Sequence, residues 1–166
     1  AKKLGYKHYS GGDMRGLIAQ ERGITIDELN KIGEKDPSTD KAVDDKIVQL
    51  GKTQDNFVID SRIAYHFIPR SFNVYLKTDP AVAARRIYDD VHANKKDRAD
   101  EPQYKSVKDV LDHLRARIAS DKKRYKKYYG IDHTDEHNYD VSIDTTEMPV
   151  KDVVDFIIKM SAHMRK

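Results

Sequence analysis

The chain has 166 residues, of which 38% are hydrophobic and 36% are charged, which fits one domain with a core and excludes a disordered chain. The 31 Lys and Arg residues against 28 Asp and Glu residues leave a net charge of only +3, so no global field favours nucleic acid. The absence of cysteine excludes disulfides and thiolate metal sites, and no apolar run has the length of a membrane span. We therefore expect a cytoplasmic monomer whose partner is neither a membrane nor a nucleic acid.

The first half of the chain is predicted to contain three helices and two short strands. Thr25 followed by Glu28 is a capping-box pattern, which predicts that a helix begins there. Val43, Ile47 and Leu50 have the spacing of one helical face. The predicted segments are a helix end at 1–5, a strand at 6–9, helices at about 13–22, 25–35 and 39–50, and a strand in "NFVID" at 56–60.

The second half continues the alternation of strands and helices. Asp79 and Pro80 are typical of a helix start. Asp caps the first turn, and the missing N–H of Pro costs little at the first helical position. The predicted segments are strands at 72–76 and 139–143, helices at about 80–88 and 106–129, a polar loop at 93–104, and a last helix opened by Pro149. Apolar strands separated by helices predict an α/β fold, in which helices cover both faces of a parallel sheet in three layers.

Polar residues follow three of the predicted strands, at the edge of the sheet where ligands of such folds bind. The three junctions are Ser10-Gly11-Gly12-Asp13, Asp60-Ser61-Arg62 and Asp144-Thr145-Thr146. Because parallel strands end at the same edge, these junctions are expected to form one site.

Arginines accompany these junctions. Arg15 and Arg62 lie at two of them, and Arg117, Asp121 and Arg124 share one face of the long helix, where Asp121 can hold the arginines in place. Guanidinium groups that converge with a helix N-terminus are typical of a phosphate site. The alternative interpretation is structural, with a solvated face of ion pairs on the long helix, simple capping residues at the first junction and an ordinary ion pair at the second.

Four stretches together resemble a known family. They are "SGGDMRGLIAQERG", "DPSTDKAVDDKIVQLGKTQDNFVIDSR", "RYKKYYGID" and "YDVSIDTT". In this order they resemble a cytidylate kinase of the short type found in archaea and some bacteria, within the P-loop nucleoside monophosphate kinases. The resemblance runs from Ala1 to about Ile158. It implies a P-loop fold with a parallel sheet, ATP and Mg²⁺ as cofactors, and CMP or dCMP as the acceptor.

The resemblance also implies which residues bind the acceptor. Ser10, Asp13 and Arg15 match the segment that binds the monophosphate in this family. Arg62 matches the arginine that grips the acceptor nucleotide, although Ser61 replaces the usual glycine before it. Asp60 matches an acid that lies near the metal and the acceptor phosphate.

Other residues are implied to serve phosphoryl transfer and ATP. Arg117 and Arg124, with Asp121 between them, match the catalytic side chains that embrace the transferring phosphoryl group, and Arg98 is a weaker candidate. The segment Asp144-Thr145 resembles the loop that borders the ATP base. The expected organisation is a single kinase-like domain over residues 1–166, with a helical acceptor-binding insertion at about 13–50 and a lid at about 91–128.

The donor site departs from the family pattern. A P-loop needs Gly-x-x-x-x-Gly-Lys followed by Ser or Thr, placed after a strand and before a helix. "GKT" at 51–53 fails this pattern, because Lys46 stands at the first glycine position and the segment precedes a strand. The resemblance implies that "AKKLG" ends the P-loop helix and that about 20 residues with the first strand and loop precede it. The alternative is a protein that lacks its ATP cradle.

Two other functions stay open from the sequence alone. The basic run "DKKRYKK" at 121–127 favours a non-catalytic nucleotide-binding or RNA-binding module derived from a kinase. Related P-loop folds phosphorylate adenylate, nucleosides or shikimate, so a kinase for another small acceptor is the second alternative. "HTDEH" at 133–137 contains metal-compatible residues, but it is predicted to be a polar loop and not a metal site.

Overall fold

The computed structural model describes residues 1–93 and 102–164. For residue 164 it describes the backbone alone. These residues fall into two compact units. The first unit comprises Ala1–Ser71 and Ser120–Thr134, and the second comprises Phe72–Ala119 and Asp135–Lys166. In the described part of the chain, no helix is long and apolar enough to cross a membrane.

Two strands and four complete helices form the first unit, together with the end of a long helix. In chain order the elements are β1 (Lys7–Ser10), α1 (Gly11–Glu21), α2 (Ile26–Gly33), α3 (Ser38–Thr53), β2 (Phe57–Asp60) and α4 (Ala64–Phe67). The second unit contains β3 (Val74–Lys77), α5 (Pro80–His92), the beginning of α6 (Val107–Tyr129), β4 (Val141–Asp144) and α7 (Val150–Met164).

The strands confirm the prediction of parallel pairing and of a mixed α/β protein. β1 pairs with β2 in parallel, with Ser10 opposite Asp60 at the carboxyl ends. β3 pairs with β4 in parallel, with Lys77 opposite Asp144. We expected one sheet, whereas the described strands form two separate pairs, one in each unit. No strand in the described ranges is hydrogen-bonded to both pairs.

A buried apolar cluster holds α1, α2 and α3 together in the first unit. Ile18, Leu29 and Ile47 contribute one large side chain from each of these helices, and each is at most 6% exposed. Burial of such side chains stabilises the unit by roughly 1.5–3 kcal/mol each. The second unit has its own cluster, formed by Ala84, Ile87, Val91, Tyr104 and Val110.

The ends of the helices show which local predictions succeed. Thr25 and Glu28 form the predicted capping box at the start of α2. α1 begins at Gly11 rather than at Asp13, because Ser10 is its N-cap and accepts a hydrogen bond from the Asp13 backbone. Residues 51–53 form the last turn of α3, so "GKT" is not a phosphate loop.

Candidate active site

A cavity in the first unit lies where the N-terminus of α1 meets α3 and the turn after β2. Gly11 and Gly12 line it from the first turn of α1, together with Arg15, Asp40 and Arg62. A helix N-terminus presents unsatisfied N–H groups and a partial positive charge, both of which favour an anion. Gly12, which has no side chain, therefore leaves the backbone N–H groups of this turn accessible to a phosphate.

The turn after β2 approaches α1 closely. A Cβ atom on Gly11 would lie 3.2 Å from both Cβ and Oγ of Ser61 and 3.4 Å from the carbonyl oxygen of Asp60. The glycine at the start of α1 thus lets the two strand ends pack side by side. Ser61 stands where the family pattern has glycine, so its side chain occupies space at this contact.

Ser10 and Asp60 meet at the carboxyl ends of β1 and β2. Ser10 Oγ donates to Asp60 Oδ2 at 2.9 Å and accepts from the Asp13 backbone at 3.2 Å. His8 Nε2 lies 2.6 Å from the other carboxylate oxygen, Asp60 Oδ1. The side chains of His8 and Asp60 are exposed and Ser10 is half-buried, while Asp13 takes part through its backbone.

Arg15 is held by a dense set of acceptors from α2 and α3. Its Nε donates to Asn30 Oδ1 at 2.8 Å, and its Nη1 donates to Asp40 Oδ1 at 2.9 Å. The carbonyl oxygens of Leu29 and Thr39 accept further bonds at 3.3 Å. Burial lowers the pKa of Arg15 from its ordinary value, and the attraction of Asp40 opposes that shift. The guanidinium stays charged, since arginine keeps its proton in proteins.

Arg124 is among the most deeply buried side chains of the first unit, at 1% exposure. Its Nη1 donates to Asp40 Oδ1 and its Nη2 donates to Asp121 Oδ1. Burial alone would lower the pKa of Arg124, but its interactions with Tyr125, Asp40 and Asp121 raise it above the ordinary value. Arg124 is therefore a permanent buried cation with two acidic partners.

Arg62 completes a chain of alternating charges. Its Nε lies 2.6 Å from Asp121 Oδ2, and its side chain is 38% exposed. The order along this chain is Arg15, Asp40, Arg124, Asp121 and Arg62. The ion-pair chain itself has three cations against two carboxylates, while Asp44 on the same cavity adds a negative charge when it is ionised.

Asp44 borders the cavity one helical turn after Asp40. Tyr129 donates a hydrogen bond from its hydroxyl to Asp44 Oδ2. Burial raises the pKa of Asp44 to about 6, while the hydrogen bond from Tyr129 lowers it. Burial and the acceptor Asp44 also raise the pKa of Tyr129 above its ordinary value. Tyr129 remains a neutral donor at physiological pH.

The remaining predicted site residues that the structure describes lie in the second unit. Asp144 is the last residue of β4, and Thr145 follows it. Asp144 Oδ1 accepts from the Thr146 backbone at 2.9 Å, and hydrogen bonds from the Thr146 side chain and backbone lower the pKa of Asp144. Thr145 Oγ1 donates to the Lys77 carbonyl at 3.0 Å, so both side chains stabilise the turn itself. Arg117 lies on the part of α6 that belongs to this unit and is partly exposed, and Arg98 lies outside the described residues.

The structure thus brings together several, but not all, of the predicted residues. Arg15, Arg62, Asp121 and Arg124 join one ion-pair chain, with Ser10 and Asp60 on the neighbouring strand ends. Sequence analysis missed Asn30 and Asp40, which bond Arg15, and Asp44, which lines the same cavity. The spacing of Asp40 and Asp44, four positions apart on a helix whose apolar face is buried, is the pattern that would have indicated them.

The basic run at 121–127 is engaged within the first unit. Arg124 is buried among acids, and Lys122 Nζ lies 3.1 Å from Asp132 Oδ2. Lys123 pairs with the Glu34 carboxylate, and Lys127 donates to the Glu34 carbonyl at 3.0 Å. These contacts hold the end of α6 against the end of α2.

In the described part of the chain, no group of three or more acidic or histidine side chains is arranged to hold a metal ion. Asp60 is a single exposed carboxylate with a histidine and a serine bonded to it. This fits a Mg²⁺ ion that is bound mostly through phosphates and water, and it does not fit a metal held by protein alone.

Comparison with known proteins places the chain in a family. Residues 1–147 match the model of the cytidylate kinase-like family. A cytidylate kinase from Methanocella arvoryzae is 32% identical over 166 residues, which cover all of this chain and 88% of that protein. A cytidylate kinase from Natronomonas pharaonis is 34% identical over 150 residues, covering 89% of this chain and 72% of the relative.

A relative with another name also matches. The S-adenosylmethionine-dependent nucleotide dehydratase of Lacinutrix mariniflava is 31% identical over 159 residues, which cover 95% of this chain but 31% of that protein. The similarity is therefore confined to a minor part of the dehydratase. With the family model and the kinases covering most of the chain, these comparisons and the arginine-lined cavity support one conclusion: the chain belongs to the cytidylate kinase-like family of nucleotide kinases.

Proposed function

We propose that this protein transfers a phosphoryl group from ATP to CMP or dCMP. The observation that carries the proposal is the cavity of the first unit, where Arg15 and Arg62 line the same space as the N-terminus of α1. The relatives named cytidylate kinase favour a cytidine nucleotide over other acceptors. We assign the monophosphate of the acceptor to this cavity.

The ion-pair chain explains how the cavity is prepared for a dianion. Asp40 and Asp121 neutralise part of the arginine charge through their ion pairs. A bound phosphate offers oxygens that match guanidinium groups with paired hydrogen bonds. Arg62 is the most exposed of these cations, so it exchanges its carboxylate for phosphate most readily.

Phosphoryl transfer mainly requires that the protein align the donor with the acceptor and neutralise charge. The protein contributes little covalent chemistry. In the proposal, Arg15 and Arg62 orient the acceptor, and Arg124 with Asp121 supplies fixed charge beside it. Ser10 and the Asp13 backbone shape the start of α1, which directs N–H groups at the acceptor phosphate. Arg117 is proposed to contact the transferring phosphoryl group, as the family pattern implies.

The donor side is proposed on the family pattern. ATP is the donor, and Asp144 and Thr145 border its base. Mg²⁺ supplies charge neutralisation when it is bound, and Asp60 is the carboxylate that would hold it. The P-loop fold with three layers, the helical insertion at about 13–50 and the lid at about 91–128 belong to the same proposal. Residues 94–101 of that lid lie outside the described residues.

Substitution of Arg62 tests the acceptor assignment. Arg62→Ala should lower kcat/KM for CMP by about 100-fold, because a positioned cation on a phosphate is lost. Arg15→Ala is expected to act in the same direction. Arg70→Ala, which changes an exposed arginine of the same unit, serves as the matched control and should leave turnover unchanged.

Steady-state kinetics with varied CMP and circular dichroism of each variant make the comparison. Full activity in both Arg62→Ala and Arg15→Ala, with the fold intact, would show that the cavity is not the acceptor site. A kinase for another acceptor would instead turn over ATP with a different monophosphate and ignore CMP and dCMP.

A further inference from the structure

We infer that Asp40 is the positioning residue of the acceptor site, holding Arg15 and Arg124 in the orientation that binds phosphate. This inference rests on the proposed function, in which those arginines serve the acceptor. Asp40 contacts no transferring group in this account. It acts through the two guanidinium groups.

A single oxygen of Asp40 joins three helices. Oδ1 accepts from Arg15 Nη1 at 2.9 Å and also from Arg124 Nη1. Arg15 comes from α1, Asp40 from the first turn of α3, and Arg124 from α6. The side chain of Asp40 is 6% exposed, so water competes little for these bonds. Two buried cations are thereby fixed by one anion.

Local structure fixes the position of Asp40. Asp36 Oδ1 accepts at 2.9 Å from the backbone N–H of Ser38, the first residue of α3. Thr39 is fully buried, and its hydroxyl donates to the Asp36 carbonyl at 3.2 Å. The Thr39 carbonyl accepts from Arg15 at 3.3 Å. These bonds therefore hold the first turn of α3 in place, and with it the carboxylate of Asp40.

The position of Asp40 at the cavity separates this role from simple packing. Of the two acids in the ion-pair chain, Asp40 lines the cavity and Asp121 does not. Among the described residues, Asp40 Oδ2 and Asp121 Oδ2 are both buried without a hydrogen-bond partner, although Arg62 Nε lies 2.6 Å from Asp121 Oδ2. An unsatisfied buried carboxylate oxygen opposes stability, so Asp40 fits a role in the cavity better than a role in the core.

The neighbouring acids provide the comparison. Asp44 lies one turn further along α3 but bonds Tyr129, and Asp45 pairs with Lys41 on the exposed face at 2.8 Å. Of the three acids, Asp40 is the one whose hydrogen bonds run to arginines. Removing its charge should therefore disturb acceptor binding, while removing the charge of Asp45 should not.

The test compares Asp40→Asn with Asp45→Asn in ATP-dependent phosphorylation of CMP. Asparagine keeps the shape and one acceptor oxygen, but it loses the charge that holds two guanidinium groups. We expect the KM for CMP to rise at least 10-fold, the KM for ATP to stay within twofold, and kcat to change less than the KM for CMP. Asp40→Glu, which restores the charge, should recover part of the loss.

A control for stability makes the outcome specific. Ile18→Ala removes a core side chain of α1 without touching the ion pairs, and it lowers the melting temperature without changing the balance of the two KM values. If Asp40→Asn behaves like Ile18→Ala, or raises both KM values equally, Asp40 is a structural residue and the inference is wrong.

A readout without turnover separates this inference from the proposed function. Inorganic phosphate is titrated into the wild type, Asp40→Asn and Asp45→Asn, while NMR follows the arginine side-chain NH signals. We expect Asp40→Asn alone to bind phosphate at least 10-fold more weakly. If the wild type phosphorylates no monophosphate but shows this pattern, the proposed function fails and the positioning role stands. Equal phosphate affinity in all three proteins overturns the positioning role.

Discussion

Asp44 is a buried carboxyl whose ionisation depends on folding. Burial raises its pKa to about 6, against about 4 in an unfolded chain. The folded protein therefore takes up a proton at this residue, and the free energy of unfolding falls as pH rises from about 4 to about 6. The difference corresponds to about 3 kcal/mol. Asp44→Asn removes this dependence, since the amide does not titrate.

Urea denaturation of the wild type and Asp44→Asn between pH 4 and pH 7 measures the effect. The stability of Asp44→Asn relative to the wild type should increase by up to about 3 kcal/mol over this range. Asp45→Asn, at an exposed position of the same helix, should show no comparable change. A stability difference that is independent of pH would mean that Asp44 is ionised throughout, like a surface carboxyl.

The sequence predicted the arginines of the site better than their partners. Arg15, Arg62 and Arg124 follow from junctions and helical spacing, because arginines at such places are typical of phosphate sites. Asp40 and Arg124 are 84 positions apart along the chain, and no local pattern links them. Their contact depends on how α3 packs beside α6, which tertiary structure decides.

At the scale of secondary-structure elements, Gly33 at the end of α2 has little space for a side chain. A Cβ atom on Gly33 would lie 2.7 Å from Thr39 Oγ1 and 3.2 Å from both Arg124 Cδ and Arg15 Nη2. Gly33→Ala should therefore destabilise the protein by roughly 1–3 kcal/mol, because the helix end or the arginines must shift. The same shift should weaken acceptor binding. Thermal unfolding and the KM for CMP report the two effects.

Gly16 on α1 provides a matched control. Its nearest neighbour for an added Cβ is Ile26 Cδ1 at 3.7 Å, an ordinary contact. Alanine in a helix interior loses less conformational freedom than glycine, so Gly16→Ala should stabilise by roughly 0.5–1 kcal/mol. Equal effects of the two substitutions would contradict the close approach at Gly33.

Local patterns predicted the helices well where a capping residue or a helix-terminating glycine was present. The capping box at Thr25 and the N-cap at Asp79 are confirmed, and Gly130 has the left-handed conformation, with φ 73°, that ends α6. The short helix α4 was missed, because four residues carry no periodicity. Strand ends differ by one or two residues, since pairing rather than propensity sets them.

At the scale of the whole molecule, the sequence predicted an α/β protein with parallel strands but not their pairing. Apolar runs such as residues 57–60 predict a buried strand and say little about its neighbour. The structure shows a β2 that is only half-buried, with Val58 exposed. The described strands pair as β1 with β2 and β3 with β4, one pair in each compact unit. Such pairing joins residues about 50 to 70 positions apart, beyond the reach of local patterns.

The charge of the whole molecule bears on the RNA-binding alternative. The net charge is +3, and Lys122, Lys123, Arg124 and Lys127 of the basic run bond groups within the first unit. We therefore expect weak binding of polynucleotide at physiological salt, with a shallow dependence on salt concentration. Fluorescence anisotropy with a labelled single-stranded RNA checks this. Tight binding with a steep salt dependence, and no response to CMP, would favour the RNA-binding module.

The most direct measurement is the ATP-dependent phosphorylation of CMP, dCMP, UMP and AMP by the purified protein, with products separated by chromatography. Our account predicts formation of ADP together with CDP or dCDP, and higher kcat/KM for a cytidine monophosphate than for UMP or AMP. Failure to phosphorylate any of the four acceptors, in a protein shown to be folded, would contradict the proposed kinase activity.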